Sequence, residues 1–131
     1  MKTDTKAWLD KAEGSFDFAQ RCMKPPFSPN YDAVCLHSQF GAEQYLNACL
    51  REAGVPFDEV QELPVLLDRL LDTDPSWTCI KPLVAALMPQ ANEFGGFGYP
   101  GVPADQDIAT QSLESCSQVR DFVRSHLNKA G

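Results

Sequence analysis

Histidine is scarce in this chain. Among 131 residues only His37 and His126 occur, which leaves little material for acid–base chemistry near neutral pH and a poor basis for a histidine-built metal centre. Cations are few as well: eleven lysines and arginines face eighteen aspartates and glutamates, and the formal net charge is −7. A field of that sign opposes broad, charge-driven binding to nucleic acid, so RNA is disfavoured as a partner unless a local basic groove forms. The basic residues are scattered, the nearest clusters being Arg120 with Arg124 and the terminal Lys129. The five cysteines, Cys22, Cys35, Cys49, Cys79 and Cys116, include no C-x-x-C pair and are odd in number. They suggest neither a disulfide framework nor a zinc site and read as small buried apolar residues. No apolar run approaches the ~20 residues that span a bilayer. The opening Met1-Lys2-Thr3-Asp4 lacks the apolar core of a signal peptide, so a cytoplasmic location is expected. No metal and no cofactor are called for.

What is present is helical periodicity over one domain, residues 1–131. A first helix is expected from about Asp4 to Met23, capped by Thr3 or Asp4, with Trp8, Ala12, Phe16, Ala19 and Met23 forming its inner stripe. Three prolines between Lys24 and Asn30 make a rigid connector. The run from Tyr31 to Ala53 reads as a long second helix of roughly 35 Å, closed by Gly54 and then Pro56. A short third helix covers Glu62 to Leu71, with Pro64 in its first turn. Asp74-Pro75 looks like a fresh cap; the helix it starts runs to about Glu93, with Pro82 and Pro89 expected to kink or split it. Four glycines and two prolines make 95–103 a loop, and a last helix runs from the cap Asp105 to about Asn128. Strand alternation and internal repeats are lacking. The expected fold is all-α, a four- to five-helix up-and-down bundle.

The second helix carries the most informative stretch, His37 to Ala48. At 3.6 residues per turn His37, Gly41, Tyr45 and Ala48 share a stripe, and Glu43 and Asn47 lie on another face. Gly41 costs roughly 1 kcal/mol against alanine in a helix, so its use is to let another helix approach closely. Together with Trp8-Leu9-Asp10-Lys11-Ala12 in the first helix and Tyr99-Pro100 before the last, the run His37-Ser38-Gln39-Phe40-Gly41-Ala42-Glu43-Gln44-Tyr45-Leu46 resembles the HEPN family. These are small α-helical domains named for nucleotide binding in higher eukaryotes and prokaryotes. The resemblance covers about Thr5 to Leu127 and rests on order and spacing more than on any one motif. It implies an HEPN-like bundle, frequent homodimers, and action beside a small nucleotidyltransferase.

Two departures bear on activity. Many relatives open the third helix with histidine-aspartate-leucine, where this chain has Gln61-Glu62-Leu63. Ribonuclease members carry an arginine followed four to six residues later by a histidine near the start of the final helix. Here that region reads Phe94-Gly95-Gly96-Phe97-Gly98-Tyr99-Pro100, with neither residue. A formal match, Arg120 to His126, lies late in the last helix, where a separation of six turns the two side chains about 120° apart. They would not converge on one phosphate without a break or a partner subunit. No catalytic residues are therefore assigned, with Arg120 and His126 kept as the candidates of a metal-independent, toxin-type ribonuclease. The ligand-binding candidates are His37, Gln39, Glu43, Asn47, Phe97 and Tyr99. Gln39, Glu43 and Asn47 form a strip of amide and carboxylate groups that can hydrogen-bond a base edge, a ribose or a neighbouring helix. Phe97 and Tyr99 can stack on a base or pin their loop to the core. The expected function is binding, of a nucleotide or a partner protein, with a structural dimerisation module as a further class.

Overall fold

The structure, a computed structural model, describes residues 1–24, 28–56, 62–92 and 104–130. Among the described residues five α-helices and one 3₁₀ segment occur: α1 (Thr3–Cys22), α2 (Tyr31–Ala53), α3 (Leu63–Thr73), the 3₁₀ turn Pro75–Ile80, α4 (Lys81–Asn92) and α5 (Gln106–Ala130). No strand occurs among the described residues. None of these helices is long and apolar enough to cross a membrane.

The helix ends follow from local chemistry. Asn30 caps α2 by accepting from the Ala33 amide at 3.1 Å, and Gly54 ends it in the left-handed region at φ 70°. Asp105 caps α5 by accepting from the Ile108 amide at 2.8 Å. The start of α1 differs from the expected Thr3 or Asp4 cap: Lys2 occupies the cap position, and its side chain does not cap the helix but donates from Nζ to the Arg51 carbonyl of α2 at 3.4 Å. The Lys2 backbone N–H donates to Glu52 at 2.9 Å, and Thr5 donates to the same oxygen. Asp74 caps the 3₁₀ turn through the Ser76 amide, and Pro82 sits at the start of a separate helix, so this proline region holds two elements rather than one kinked helix. Position 89 lies within α4, which continues to Asn92.

α2 is the spine. It packs on α1 along its length, then on α5 and α3, and more lightly on α4. Lys2 meets Glu52 at one end, while the Asn30 amide donates to the Cys22 carbonyl at the other, so α1 and α2 are antiparallel. The pairs Asp32 with Ala104 and Gly41 with Cys116 advance together, so α5 runs parallel to α2. The main core joins Tyr45, Leu46, Leu50, Leu66, Leu70, Trp77, Ile80, Val119 and Val123, all buried. A helix covered on several sides loses the one-sided apolar stripe of a surface helix, which is why polar Ser38 and Asn47 can be buried here. Three cysteines, Cys35, Cys49 and Cys116, are buried as expected and Cys22 is half-buried. Cys79, on the outer side of the 3₁₀ turn, is exposed, against the expectation of a core thiol.

Candidate functional site

The sequence-derived candidates separate into three places. The first is an aromatic face shared by α1 and α2. His37 lies between Phe18, ring centroids 4.5 Å apart, and Phe40, 5.8 Å apart, each edge-on. Phe18 is 47% and Phe40 41% exposed, so two large apolar rings meet solvent side by side with the histidine. Burial holds the imidazole below its ordinary pKa. Lys11, Gly14, Ser15 and Gln44 complete a shallow depression around it, with the Ser15 hydroxyl donating to Gln44 at 2.6 Å.

The second place is the polar strip of α2. Asn47 is buried at 4% exposure, and its amide N–H donates to the Glu43 carbonyl of its own helix at 2.9 Å. Its Oδ1 has no hydrogen-bond partner, and neither does the Oε1 of Gln39. Gln39 lies close enough to the Glu43 carboxyl to favour its charged form. The strip thus holds two buried, unmatched acceptors beside a carboxyl that burial pushes up to about 7, against the help of Gln39 and with Glu62 adding repulsion. Phe97 and Tyr99 lie outside the described residues.

Glu43 makes stability pH-dependent in an unusual direction. Its folded pKa of about 7 lies above the ordinary 4.5, so the folded state holds this proton more tightly than the unfolded one. The advantage is complete below the unfolded value and is lost as pH rises through the folded one. Glu43→Gln removes the ionisation cost. We expect it to be about 2 kcal/mol more stable than the parent at pH 8, with the gap closing toward pH 4.5, in urea unfolding at both pH values. Equal stabilities at pH 8 would show that Glu43 ionises without penalty.

The third place separates Arg120 from His126. Arg120 Nε donates to Glu13 on α1 at 2.9 Å, and its guanidinium lies 5.1 Å over the Phe16 ring. Arg124 donates to the other Glu13 oxygen through Nε at 3.0 Å and also through Nη2. One carboxylate therefore bridges two arginines one helical turn apart. Burial works against its ionisation, but the hydrogen bonds from Arg120 and Arg124 prevail and hold it below the usual carboxylate range. His126 faces elsewhere, its ring 4.7 Å from Trp77 and 6.3 Å from Phe122, in a groove lined also by Asp74, Ser76, Cys79, Ser125 and Lys129. Within one chain the two candidate groups are held by different neighbours on different elements.

Sequence reasoning missed Glu13 and Phe18. Glu13 has a faint signal, since it shares α1 with the inner stripe yet carries a charge; nothing in local pattern names its partners on α5, more than a hundred residues away. Among the described residues no group of three histidine, cysteine, aspartate or glutamate side chains lies close enough to hold a metal ion.

No protein with a curated description and no solved structure matches this chain. The family model for the HEPN domain matches residues 5–126, nearly the whole chain. With its all-α fold, the chain belongs to the HEPN domain family.

Proposed function

We propose that this HEPN domain works by binding and has no self-contained ribonuclease site. The observation that carries this reading is the separation of its one arginine–histidine pair: Arg120 is taken up by Glu13 on α1, while His126 packs against Trp77 and Phe122. Cleavage of RNA through a cyclic phosphate needs a base, an acid and a cation around one phosphate, and these two groups do not supply that.

The occupant that the surface favours is a protein, received on the Phe18–His37–Phe40 face. Adjacent exposed aromatics contribute strongly to interfaces, because they bury much area at little entropic cost. A small nucleotidyltransferase is the partner that membership in this family suggests, and a second copy of the chain is the other. A nucleotide is the second reading, supported by the unmatched acceptors of Gln39 and Asn47, which suit the amino group of a base. On that reading Phe97 and Tyr99 are the candidate stacking residues.

Purified protein incubated with single-stranded RNA and a chelator is expected to leave the RNA intact. Cleavage that Arg120→Ala or His126→Ala abolishes overturns the binding reading in favour of a toxin-type ribonuclease assembled across a dimer. The face itself is tested by Phe18→Asp combined with Phe40→Asp, which should leave the melting temperature near that of the parent. If the parent is a dimer in light scattering, the double variant becomes monomeric. If the parent is a monomer, its complex with a small nucleotidyltransferase is lost. A complex or dimer that survives the double variant removes the face from consideration. Raised thermal stability with ATP, cancelled by Gln39→Ala, would favour the nucleotide instead.

A further inference from the structure

The Glu13 cluster is over-provided with positive charge. Two guanidiniums converge on a single carboxylate, Arg120 on one oxygen and Arg124 on the other, so one positive charge has no counterpart within the cluster. This occurs in a chain of net charge −7. The Tyr45 ring, fully buried, brings its hydroxyl beside Glu13 and Arg120, yet that hydroxyl completes no hydrogen bond of full geometry. Phe16 fixes the Arg120 guanidinium from the other side. The cluster is only partly covered: the side chains of Arg120, Glu13 and Arg124 are 23%, 29% and 47% exposed. Two preset forks, a buried hydroxyl and an opening to solvent are the parts of an oxyanion site.

We propose that Arg120, Arg124 and Tyr45 form a binding site for a phosphomonoester dianion, and that Glu13 occupies it in the resting protein as an internal stand-in. A carboxylate offers the two oxygens that the forks require but only one charge. A phosphate carries close to two charges at neutral pH and a third oxygen, which the Tyr45 hydroxyl is placed to meet. Glu13 holds the site because it is tethered, with an effective concentration of millimolar order, and not because its charge matches. A rotamer change of Glu13 vacates the site without moving α1. The site is independent of whichever partner the aromatic face takes.

Glu13→Gln keeps the side-chain shape and removes the competing charge. Titrated with inorganic phosphate against chloride of equal ionic strength, this variant is expected to bind phosphate roughly tenfold more tightly than the parent, read by calorimetry or by the rise in melting temperature. The gain should vanish in Glu13→Gln combined with Arg124→Met. Equal affinity in parent and Glu13→Gln overturns the proposal, and so does a gain that persists without Arg124. Acetate matching phosphate in Glu13→Gln overturns the assignment to a dianion. Should Glu13→Gln fail to fold, the parent itself decides: phosphate must shift the Nε–Hε resonances of Arg120 and Arg124 together in nitrogen-edited NMR, and unmoved resonances refute the site.

Discussion

Trp77→Ala is expected to lower stability by about 3–5 kcal/mol, the usual cost of deleting a large aromatic from a packed core. Trp77 has no exposed surface, and its ring lies 4.9 Å from Phe122 and 4.7 Å from His126. It therefore joins the 3₁₀ turn to the last helix. A chain of this length has roughly 5–15 kcal/mol of total stability, so the loss is a large share of it. Trp77→Phe should behave differently. The indole N–H is buried without a partner, which costs about 1–3 kcal/mol in the parent, and phenylalanine removes that penalty while leaving a smaller void. We expect Trp77→Phe to fall within about 1 kcal/mol of the parent, because the two changes offset. Urea unfolding followed by circular dichroism checks both. A Trp77→Ala protein with an unshifted midpoint would mean that the turn does not share the core.

Gly41 gives the second large effect. A Cβ there would lie 3.2 Å from Cys116 Sγ, 3.6 Å from Ser15 Cβ and 3.7 Å from the Ala12 carbonyl oxygen, so α1 and α5 both close on this point of α2. Gly41→Ala asks the buried Cys116 sulfur to give way by a few tenths of an ångström, and alanine returns about 1 kcal/mol of helix propensity against that cost. Its net effect should be near zero. Gly41→Leu has no such way out, because the added carbons meet helices on two sides. It is expected to cost about 3 kcal/mol or more, at the upper end of overpacking effects. Calorimetric melting of the two variants separates the cases, and a leucine variant as stable as the alanine one would show that the helices can part freely.

Much of this architecture is legible in the sequence. The caps at Asp74 and Asp105 are short-range chemistry, and so are the stops at Gly54 and before Pro75. Gly41 announces a close approach through its cost alone, although not which helices make it. The family resemblance reads correctly because it draws on the order of landmarks across the chain, and the HEPN match spans residues 5–126. The candidate site was harder to read. Gln39, Glu43 and Asn47 share a face, but the burial of Asn47 depends on what α2 packs against, which no local spacing reveals. Asp105 and Glu13 are both acidic residues near polar neighbours in sequence. One caps its own helix; the other reaches across to α5. Helical periodicity says which face a residue is on and is silent about the partner helix.

The parallel course of α2 and α5 has a consequence for how the chain assembles. The α1–α2 hairpin joins neighbours in sequence, whereas Asp32 meets Ala104 across 72 positions and Glu13 meets Arg124 across 111. Loop-closure entropy grows with such separations, though only by about 0.6 kcal/mol per doubling, and non-local contacts repay that cost only once they form. The hairpin is thus inexpensive to form early, while the docking of α5 carries most of the topological cost. That single step seats Cys116 against Gly41 and brings Glu13 the two arginines it bridges. Core closure and the assembly of the charged cluster are one event.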